Sequence, residues 1–284
     1  MRAPRRRSAL AAAVLAAALL AGAGAAQADP GGSATASSGA VAANLSWSSA
    51  PFGVRDARLI VARAGVKLFD GSPLVAGHSC KPAGGDGCTF APSGSRTGPL
   101  QVLDLDGDGE PEILVDVFTG GAHCCAVTEI LRFTGAGYAP LEVPWGDAGY
   151  DLRDLDHDGR PEISTLDDAF AGAFSSFAAS VLPARVLQYR AGVLTAVTRF
   201  FPGPVRANLR IARRTLRRAL RRHFETLGAV AAITADLYTL GRGGEARPFL
   251  RRLRARGRLV GINGHAGRRF ERRLLTFLHR HGYR

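Results

Sequence analysis

Several common features are scarce in this chain of 284 residues. It has four cysteines, one methionine and two tryptophans, and only two of its 37 basic residues are lysines. A single apolar run approaches membrane-spanning length, and its position at the extreme N-terminus excludes a multi-pass membrane protein. The hydrophobic content of 46% excludes a wholly disordered chain, because that value is ordinary for a globular protein.

The first 28 residues have the pattern of a secretory signal peptide. Arginines at positions 2, 5, 6 and 7 precede an apolar run over residues 9–20, and Ala26-Gln27-Ala28 fits a small-x-small cleavage site. An uncleaved membrane anchor is the alternative, which the shortness of the run disfavours. We therefore leave residues 1–28 out of the fold prediction and expect a secreted, extracytoplasmic protein.

The charge distribution divides the remainder into two parts. Residues 29–198 carry a net charge of −9, whereas residues 199–284 carry +18. The hydrophobic pattern changes at the same place, where Phe201-Pro202-Gly203-Pro204 interrupts regular structure. We predict a flexible Gly/Ala/Ser-rich linker over residues 29–50, a β-rich domain over 51–201 and a basic helical domain over 205–284.

Hydrophobic periodicity predicts an α+β protein. Short, partly alternating runs indicate strands at residues 56–69, 100–105, 113–118, 126–133, 163–166 and 184–189. Apolar residues spaced three and four apart indicate amphipathic helices at residues 205–227, 229–240, 248–259 and 268–281. The four helices predict a small C-terminal bundle.

An internal repeat is the most informative feature. The string Asp-Leu-Asp-x-Asp-Gly-x-Pro-Glu-Ile begins at Asp104 and recurs at Asp154, with eight of ten positions identical. Carboxylates at positions 1, 3 and 5 can converge on a Ca²⁺ ion, and glycine at position 6 allows the sharp turn. Position 7 needs to supply only its backbone carbonyl, and the glutamate at position 9 completes the shell. We predict two structural Ca²⁺ sites, whose ligands are Asp104, Asp106, Asp108, Glu110 and Glu112 in the first and Asp154, Asp156, Asp158, Arg160 and Glu162 in the second.

The loop resembles the calcium loop of FG-GAP/VCBS repeats, which are the blades of integrin-like β-propellers. It is not an EF-hand, because position 12 is Val115 or Thr165 and a strand pattern follows each loop. The resemblance implies the same ligand positions. Since only two such loops occur, we expect a truncated or open propeller-like β-domain.

The cysteines leave alternatives open. Cys80 and Cys88 bracket a flexible loop and can form a disulfide with each other, which leaves Cys124 to pair with Cys125. Alternatively, Cys80 and Cys88 each form a disulfide with one of the two adjacent cysteines, Cys124 and Cys125. An extracytoplasmic location favours disulfides. A second hypothesis is a soft-metal or redox site built from His78, Cys80, His123 and Cys124.

No strong catalytic template is present: the chain has no Gly-x-Ser-x-Gly elbow, His-Glu-x-x-His motif or P-loop. We therefore predict a binding or scaffold module without catalytic residues. The alternative is a secreted hydrolase on a calcium-stabilised scaffold, for which Ser175, His123 and Asp168 are candidates. The Arg-rich helices predict an anionic cell-wall polymer, a membrane surface or another protein as partner, and nucleic acid is the least expected ligand of an exported protein.

Overall fold

The computed structural model of this chain describes residues 31–51, 53–73, 88–94, 98–120 and 126–284. Within them the β-rich part has thirteen strands and three 3₁₀ turns before the first helix. The strands are β1 Gly32–Ser38, β2 Val41–Ala50, β3 Gly53–Arg63, β4 Val66–Gly71, β5 Thr89–Phe90, β6 Leu100–Leu103, β7 Glu112–Phe118, β8 Ala126–Phe133, β9 Tyr138–Gly146, β10 Tyr150–Arg153, β11 Glu162–Leu166, β12 Ala184–Arg190 and β13 Val193–Ala196.

These strands form three antiparallel sheets that follow one another along the chain. The first sheet has the order β1-β2-β3-β4 and the third has the order β10-β11-β12-β13. The middle sheet has the order β5-β7-β8-β9, and β6 pairs with β7 beside β5. The first and third sheets are therefore meanders, in which consecutive strands lie side by side, and the middle sheet contains the meander β6-β7-β8-β9 with β5 added at β7.

The middle sheet lies between the other two, and β7 shows this most clearly. Its residues from Glu112 to Val117 are all buried. Ile113, Val115 and Val117 belong to the core shared with the first sheet, whereas Leu114 belongs to the core shared with the third. A strand buried on both faces is recognised by a continuous apolar run rather than by alternation.

Four helices and a short hairpin complete the fold. The helices are α1 Pro202–Arg221, α2 Leu227–Thr239, α3 Gly243–Ala255 and α4 Arg268–Arg280, and the hairpin strands are β14 Val260–Gly261 and β15 Gly264–His265. The central helix α2 is buried along nearly its whole length. The core of this bundle also contains Phe170 and Phe174, which lie between β11 and β12. The β-rich and helical parts therefore share a core.

The α+β class and the β-then-helix order are confirmed. The predicted strand at residues 56–69 is in fact a hairpin, because Ala64 and Gly65 adopt positive φ and reverse the chain between β3 and β4. The first helix is shorter than predicted: it ends at Arg221, and Phe224 beyond it is exposed.

The prediction of a flexible linker over residues 29–50 is wrong, because β1 and β2 occupy residues 32–50. The β-rich domain predicted to begin at residue 51 therefore begins at Gly32. Val41, Ala43 and Leu45 alternate with exposed neighbours and enter the core with the middle sheet. The Gly, Ala and Ser content concealed this alternation, since small residues give a weak hydrophobic signal.

Some predictions fall outside the described residues. These include the signal peptide over residues 1–28 and the side chains of His78, Cys80, His123, Cys124 and Cys125. Cys88 is described, is buried and is not free, but the pairing of the cysteines stays a prediction. In the described part of the chain, every helix is too short or too polar to cross a membrane.

A buried carboxyl group connects the helical and β-rich parts. Asp236 of α2 is fully buried and accepts hydrogen bonds from Asn208 Nδ2 at 3.0 Å and from the backbone N–H of Ala184 at 3.4 Å. Burial raises the pKa of Asp236 to about 7, although these bonds oppose the rise. The folded protein therefore holds this proton more tightly than the unfolded chain does.

We expect this carboxyl group to make stability fall as pH rises from 5 to 7. A carboxyl group whose pKa is higher in the folded state than in the unfolded state stabilises the protein fully at pH values below its unfolded-state pKa. This stabilisation is lost as the pH rises through the folded-state pKa. Asp236→Asn should reduce the slope of unfolding free energy against pH by up to about 1.4 kcal/mol per pH unit, measured by urea denaturation. Glu245→Gln is the control, because Arg242 lowers the pKa of Glu245 and its effect lies below this window. An unchanged slope in Asp236→Asn would contradict the assignment.

Candidate metal centres

The two copies of the repeat occupy equivalent places in adjacent sheets. We call residues 104–112 acidic loop 1 and residues 154–162 acidic loop 2. Loop 1 joins β6 to β7, and loop 2 joins β10 to β11. The two strands that each loop joins are antiparallel neighbours in their sheet: β6 pairs with β7, and β10 pairs with β11. The repeat in sequence is therefore also a repeat in structure.

The first aspartate of each loop organises the turn. Asp104 accepts hydrogen bonds from the N–H groups of Gly107 at 2.7 Å and Gly109 at 2.9 Å. Asp154 accepts them from Asp158 at 3.1 Å and Gly159 at 3.0 Å. Gly109 and Gly159 have φ values of 86° and 85°, which is the conformation that requires glycine at position 6. This part of the sequence interpretation is confirmed.

Three carboxylates converge in loop 1. One oxygen from each of Asp104, Asp106 and Asp108 lies within 4.8 Å of the others. Asp106 is only 9% exposed. Its Oδ2 accepts a hydrogen bond from the Ala191 N–H at 2.6 Å, whereas its Oδ1 is buried and has no hydrogen-bond partner in the structure. A buried carboxylate oxygen without a donor is costly unless a cation satisfies it.

Glu112 closes loop 1 from the start of β7. It is 1% exposed, and its Oε2 accepts a hydrogen bond from the Leu105 N–H at 3.0 Å. Burial, reinforced by the negative charges of Asp106, Asp108 and Asp104, raises the pKa of Glu112 to about 7. Glu112 is not among the three convergent residues, so it supports the loop in this conformation.

Loop 2 assembles a different set of three. One oxygen from each of Asp154, Asp156 and Glu162 lies within 4.8 Å of the others. Glu162 is 1% exposed and accepts hydrogen bonds from the Leu155 N–H at 2.9 Å and from Gln188 Nε2 at 3.1 Å. Asp158 is not in this set, although its counterpart Asp108 belongs to the set in loop 1.

The residues at position 7 behave differently in the two loops. The Glu110 side chain forms an ion pair with Arg63 of β3, which leaves only its backbone carbonyl for the loop. The Arg160 side chain instead turns back onto Asp158, to which Nε donates at 2.9 Å and Nη2 also donates. These hydrogen bonds and the charge of Arg160 lower the pKa of Asp158.

The donor set fits a hard divalent cation such as Ca²⁺. Ca²⁺ takes six to eight oxygen ligands from carboxylates, carbonyls and waters. Both loops offer three convergent carboxylates, and loop 1 adds the unsatisfied Oδ1 of Asp106. A bound cation would neutralise the cluster and satisfy that oxygen.

Two of the three candidate hydrolase residues, Ser175 and Asp168, lie in the described part of the chain. Ser175 Oγ lies 3.4 Å from Ser180 Oγ and packs against Gly228 of α2. Asp168 accepts a hydrogen bond from the Asp147 N–H at 3.2 Å, beside Gly146. His123 is outside the described residues. Each described candidate therefore has a local structural contact of its own.

A buried polar network, which the sequence did not predict, lies between the middle sheet and the third sheet. Asp116 of β7 accepts hydrogen bonds from Thr128 Oγ1 at 2.6 Å and Tyr150 Oη at 3.0 Å. Trp145 Nε1 donates to Thr128 Oγ1 at 2.8 Å. These contacts connect the middle and third sheets. The only sequence signal was an aspartate inside an otherwise apolar strand.

The basic helical part has few internal counter-charges. Its four acidic residues are all engaged: Glu225 with Ser176, Asp236 with Asn208, Glu245 with Arg242 and Glu271 with Arg254. In the described residues, no ion pair joins this segment to the acidic β-rich part. Seven exposed arginines line the solvent face of α1, at positions 206, 210, 213, 214, 217, 218 and 221.

Comparisons with known proteins give partial matches. No protein-family model and no solved structure matches the chain. The chain is similar to a probable thylakoid lumen protein (sll0997) of Synechocystis sp., with 33% identity over 105 residues, 35% of this chain and 30% of that protein. It is also 37% identical over 75 residues to an uncharacterized protein (y4bJ) of Sinorhizobium fredii, covering 26% of this chain and 12% of that protein. The chain thus spans less than a third of either relative.

We expect Asp104→Ala to destabilise the protein even without metal. Two backbone N–H groups of loop 1 lose their acceptor, which should lower the unfolding free energy by about 2 kcal/mol. Urea denaturation in EGTA and about 0.5 M NaCl would measure this, because that salt concentration screens repulsion among the carboxylates. Asp147→Ala, an exposed acid outside both loops, is the control. A loss no larger than that of the control would contradict the organising role of Asp104.

Proposed function

We propose that this protein is an extracytoplasmic calcium-binding module that acts as a binding or scaffold protein rather than as an enzyme. The observation that carries the proposal is the carboxylate cluster of loop 1, in which the buried Oδ1 of Asp106 has no hydrogen-bond partner. The second copy of the loop, at the equivalent position of the next sheet, supports a second site.

The sheet arrangement supports kinship with FG-GAP/VCBS repeats. Three sheets pack face to face, and each contains a meander of four consecutive strands. Each acidic loop joins the first two strands of the meander in its sheet. Propeller blades are four-stranded meanders of this kind. We propose that the described β-rich part is an open, propeller-like stack of three blades, of which the second and third carry acidic loops.

In this proposal the role of calcium is structural. When bound, Ca²⁺ supplies positive charge to each cluster and fixes the turn. Asp106 extends that effect beyond loop 1, because its other oxygen accepts a hydrogen bond from Ala191 in the turn between β12 and β13. Metal at loop 1 would therefore also strengthen the contact between the middle and third sheets.

The extracytoplasmic location rests on two observations. One is the signal-peptide pattern of residues 1–28. The other is the similarity to a probable thylakoid lumen protein, which by its name lies outside the cytoplasm. Calcium sites of extracellular modules bind weakly, with dissociation constants of about 0.1 to 1 mM.

Calcium should stabilise the protein against heat. If a site has a dissociation constant of about 0.1 mM, 5 mM Ca²⁺ adds roughly 2 kcal/mol to the unfolding free energy. Thermal melting in Ca²⁺ and in EGTA would measure the shift. Asp108→Asn should remove the loop 1 contribution, whereas Asp147→Asn should keep the full shift. Absence of any shift, together with a metal-free protein by elemental analysis, would refute the calcium proposal.

We further propose that the arginine face of α1 binds an anionic surface. Arginines at i and i+4 repel one another along this face, so an anionic partner would stabilise it. The segment's few acids are already engaged, and so the charge remains available to a partner. An anionic cell-wall polymer, a membrane surface or an acidic protein would supply the complementary charge.

Reversing two charges on this face should weaken such binding. We expect Arg217→Glu with Arg218→Glu to reduce affinity for vesicles containing anionic phospholipid at least tenfold, because each basic residue near such a surface contributes about 1 kcal/mol. Co-sedimentation at low and high salt would measure binding. The same reversal at Arg251 and Arg252 of α3 is the charge-matched control. Equal losses in both variants would contradict a role specific to α1, and no wild-type binding would exclude the membrane surface.

A further inference from the structure

The two loops differ at only two positions, and two of the residues at those positions, Gly107 of loop 1 and Arg160 of loop 2, lie against each other. Loop 1 has Gly107 where loop 2 has His157, and Glu110 where loop 2 has Arg160. A Cβ built on Gly107 would lie 2.6 Å from Cδ and 3.0 Å from Cγ of Arg160. Any side chain at Gly107 would therefore collide with the stem of Arg160. Glycine in loop 1 and arginine in loop 2 thus fit together as a pair.

The guanidinium of Arg160 binds the Asp158 carboxylate, which stands at position 5 of the repeat and is therefore one of the predicted metal ligands. Asp158 Oδ2 accepts from Arg160 Nε at 2.9 Å and also from Nη2, while Oδ1 accepts from the Arg160 N–H at 2.9 Å. Both oxygens of Asp158 are therefore engaged. In loop 1 the backbone bond recurs from the Glu110 N–H to Asp108 Oδ1 at 2.8 Å, but the Glu110 side chain turns to Arg63.

The convergent sets agree with this difference. Asp108 is one of the three convergent carboxylates of loop 1, whereas Asp158 is not among those of loop 2. The arginine also places a positive charge beside the position that a dication would take. At a separation of about 5 Å in water, a unit charge and a dication repel by more than 1 kcal/mol, which corresponds to about tenfold in affinity.

We infer that Arg160 is a built-in counter-cation of loop 2, which makes the two calcium sites unequal. Loop 1 is the tighter site, because its position-5 carboxylate, Asp108, converges with the other two and Asp106 presents an unsatisfied buried oxygen. Loop 2 binds Ca²⁺ at least tenfold more weakly, since the ion must displace the guanidinium from Asp158 or bind without that ligand. This inference rests on the proposed calcium function and names the residue that separates the affinities of its two sites.

Isothermal titration of the full chain with CaCl₂, after removal of metal with EDTA, tests the inference. The wild type should bind one ion tightly and a second at least tenfold more weakly. Arg160→Gln removes the charge and should tighten the weak site about tenfold without changing the tight one. Arg153→Gln is the matched control: it removes an exposed arginine that pairs with Asp151 beside loop 2 but outside it, and it should leave both affinities unchanged.

The sites are assigned by ligand variants in the same titration. Asp108→Asn should abolish the tight event, and Asp156→Asn should abolish the weak one. Circular dichroism of each variant without metal would establish that the fold is retained. Two wild-type sites of equal affinity, or a weak site that Arg160→Gln leaves unchanged, would overturn the inference and leave calcium binding intact. Failure of every variant and the wild type to bind Ca²⁺ would refute the calcium function itself.

Discussion

The central strand β7 of the middle sheet is buried on both faces, and much of the β-rich part is arranged around this constraint. Because β7 is buried on both sides, every polar group on it must find a partner inside the protein. Glu112 accepts from the backbone of loop 1, and Asp116 accepts from Thr128 and Tyr150. The carboxylates at the two ends of this strand thus join the middle sheet to the elements that cover it.

In the acidic loops, too, buried polar groups need partners inside the protein. Loop 1 lies where the middle and third sheets meet, so its Asp106 is nine-tenths buried, whereas Asp156 at the same position of loop 2 is exposed. Two nearly identical strings therefore have different electrostatic surroundings. Local sequence determines the turn, but the neighbouring sheet determines how strongly each loop needs a cation.

The loops were the most predictable part of the structure. The spacing of aspartates and glycines determines the turn through bonds within a few residues, and those bonds are present around Asp104 and Asp154. The first two strands were not predicted, because their buried positions include small residues such as Ala43, whose burial leaves little trace in composition. The contact between Gly107 and Arg160 was also beyond sequence reasoning, since it joins residues from different loops and depends on how two sheets pack.

The position of Phe170 and Phe174 has a consequence for the modularity of the chain. Both rings come from the connection between β11 and β12, yet they pack with Phe270 and Phe277 of α4. A fragment that ends before Pro202 would lack α4, which covers these two rings. A fragment that begins at Pro202 would lack Phe170 and Phe174, which belong to the core of the helical part. Although charge and periodicity change sharply near residue 200, the natural unit for recombination or duplication includes both parts, because neither holds a complete interior by itself.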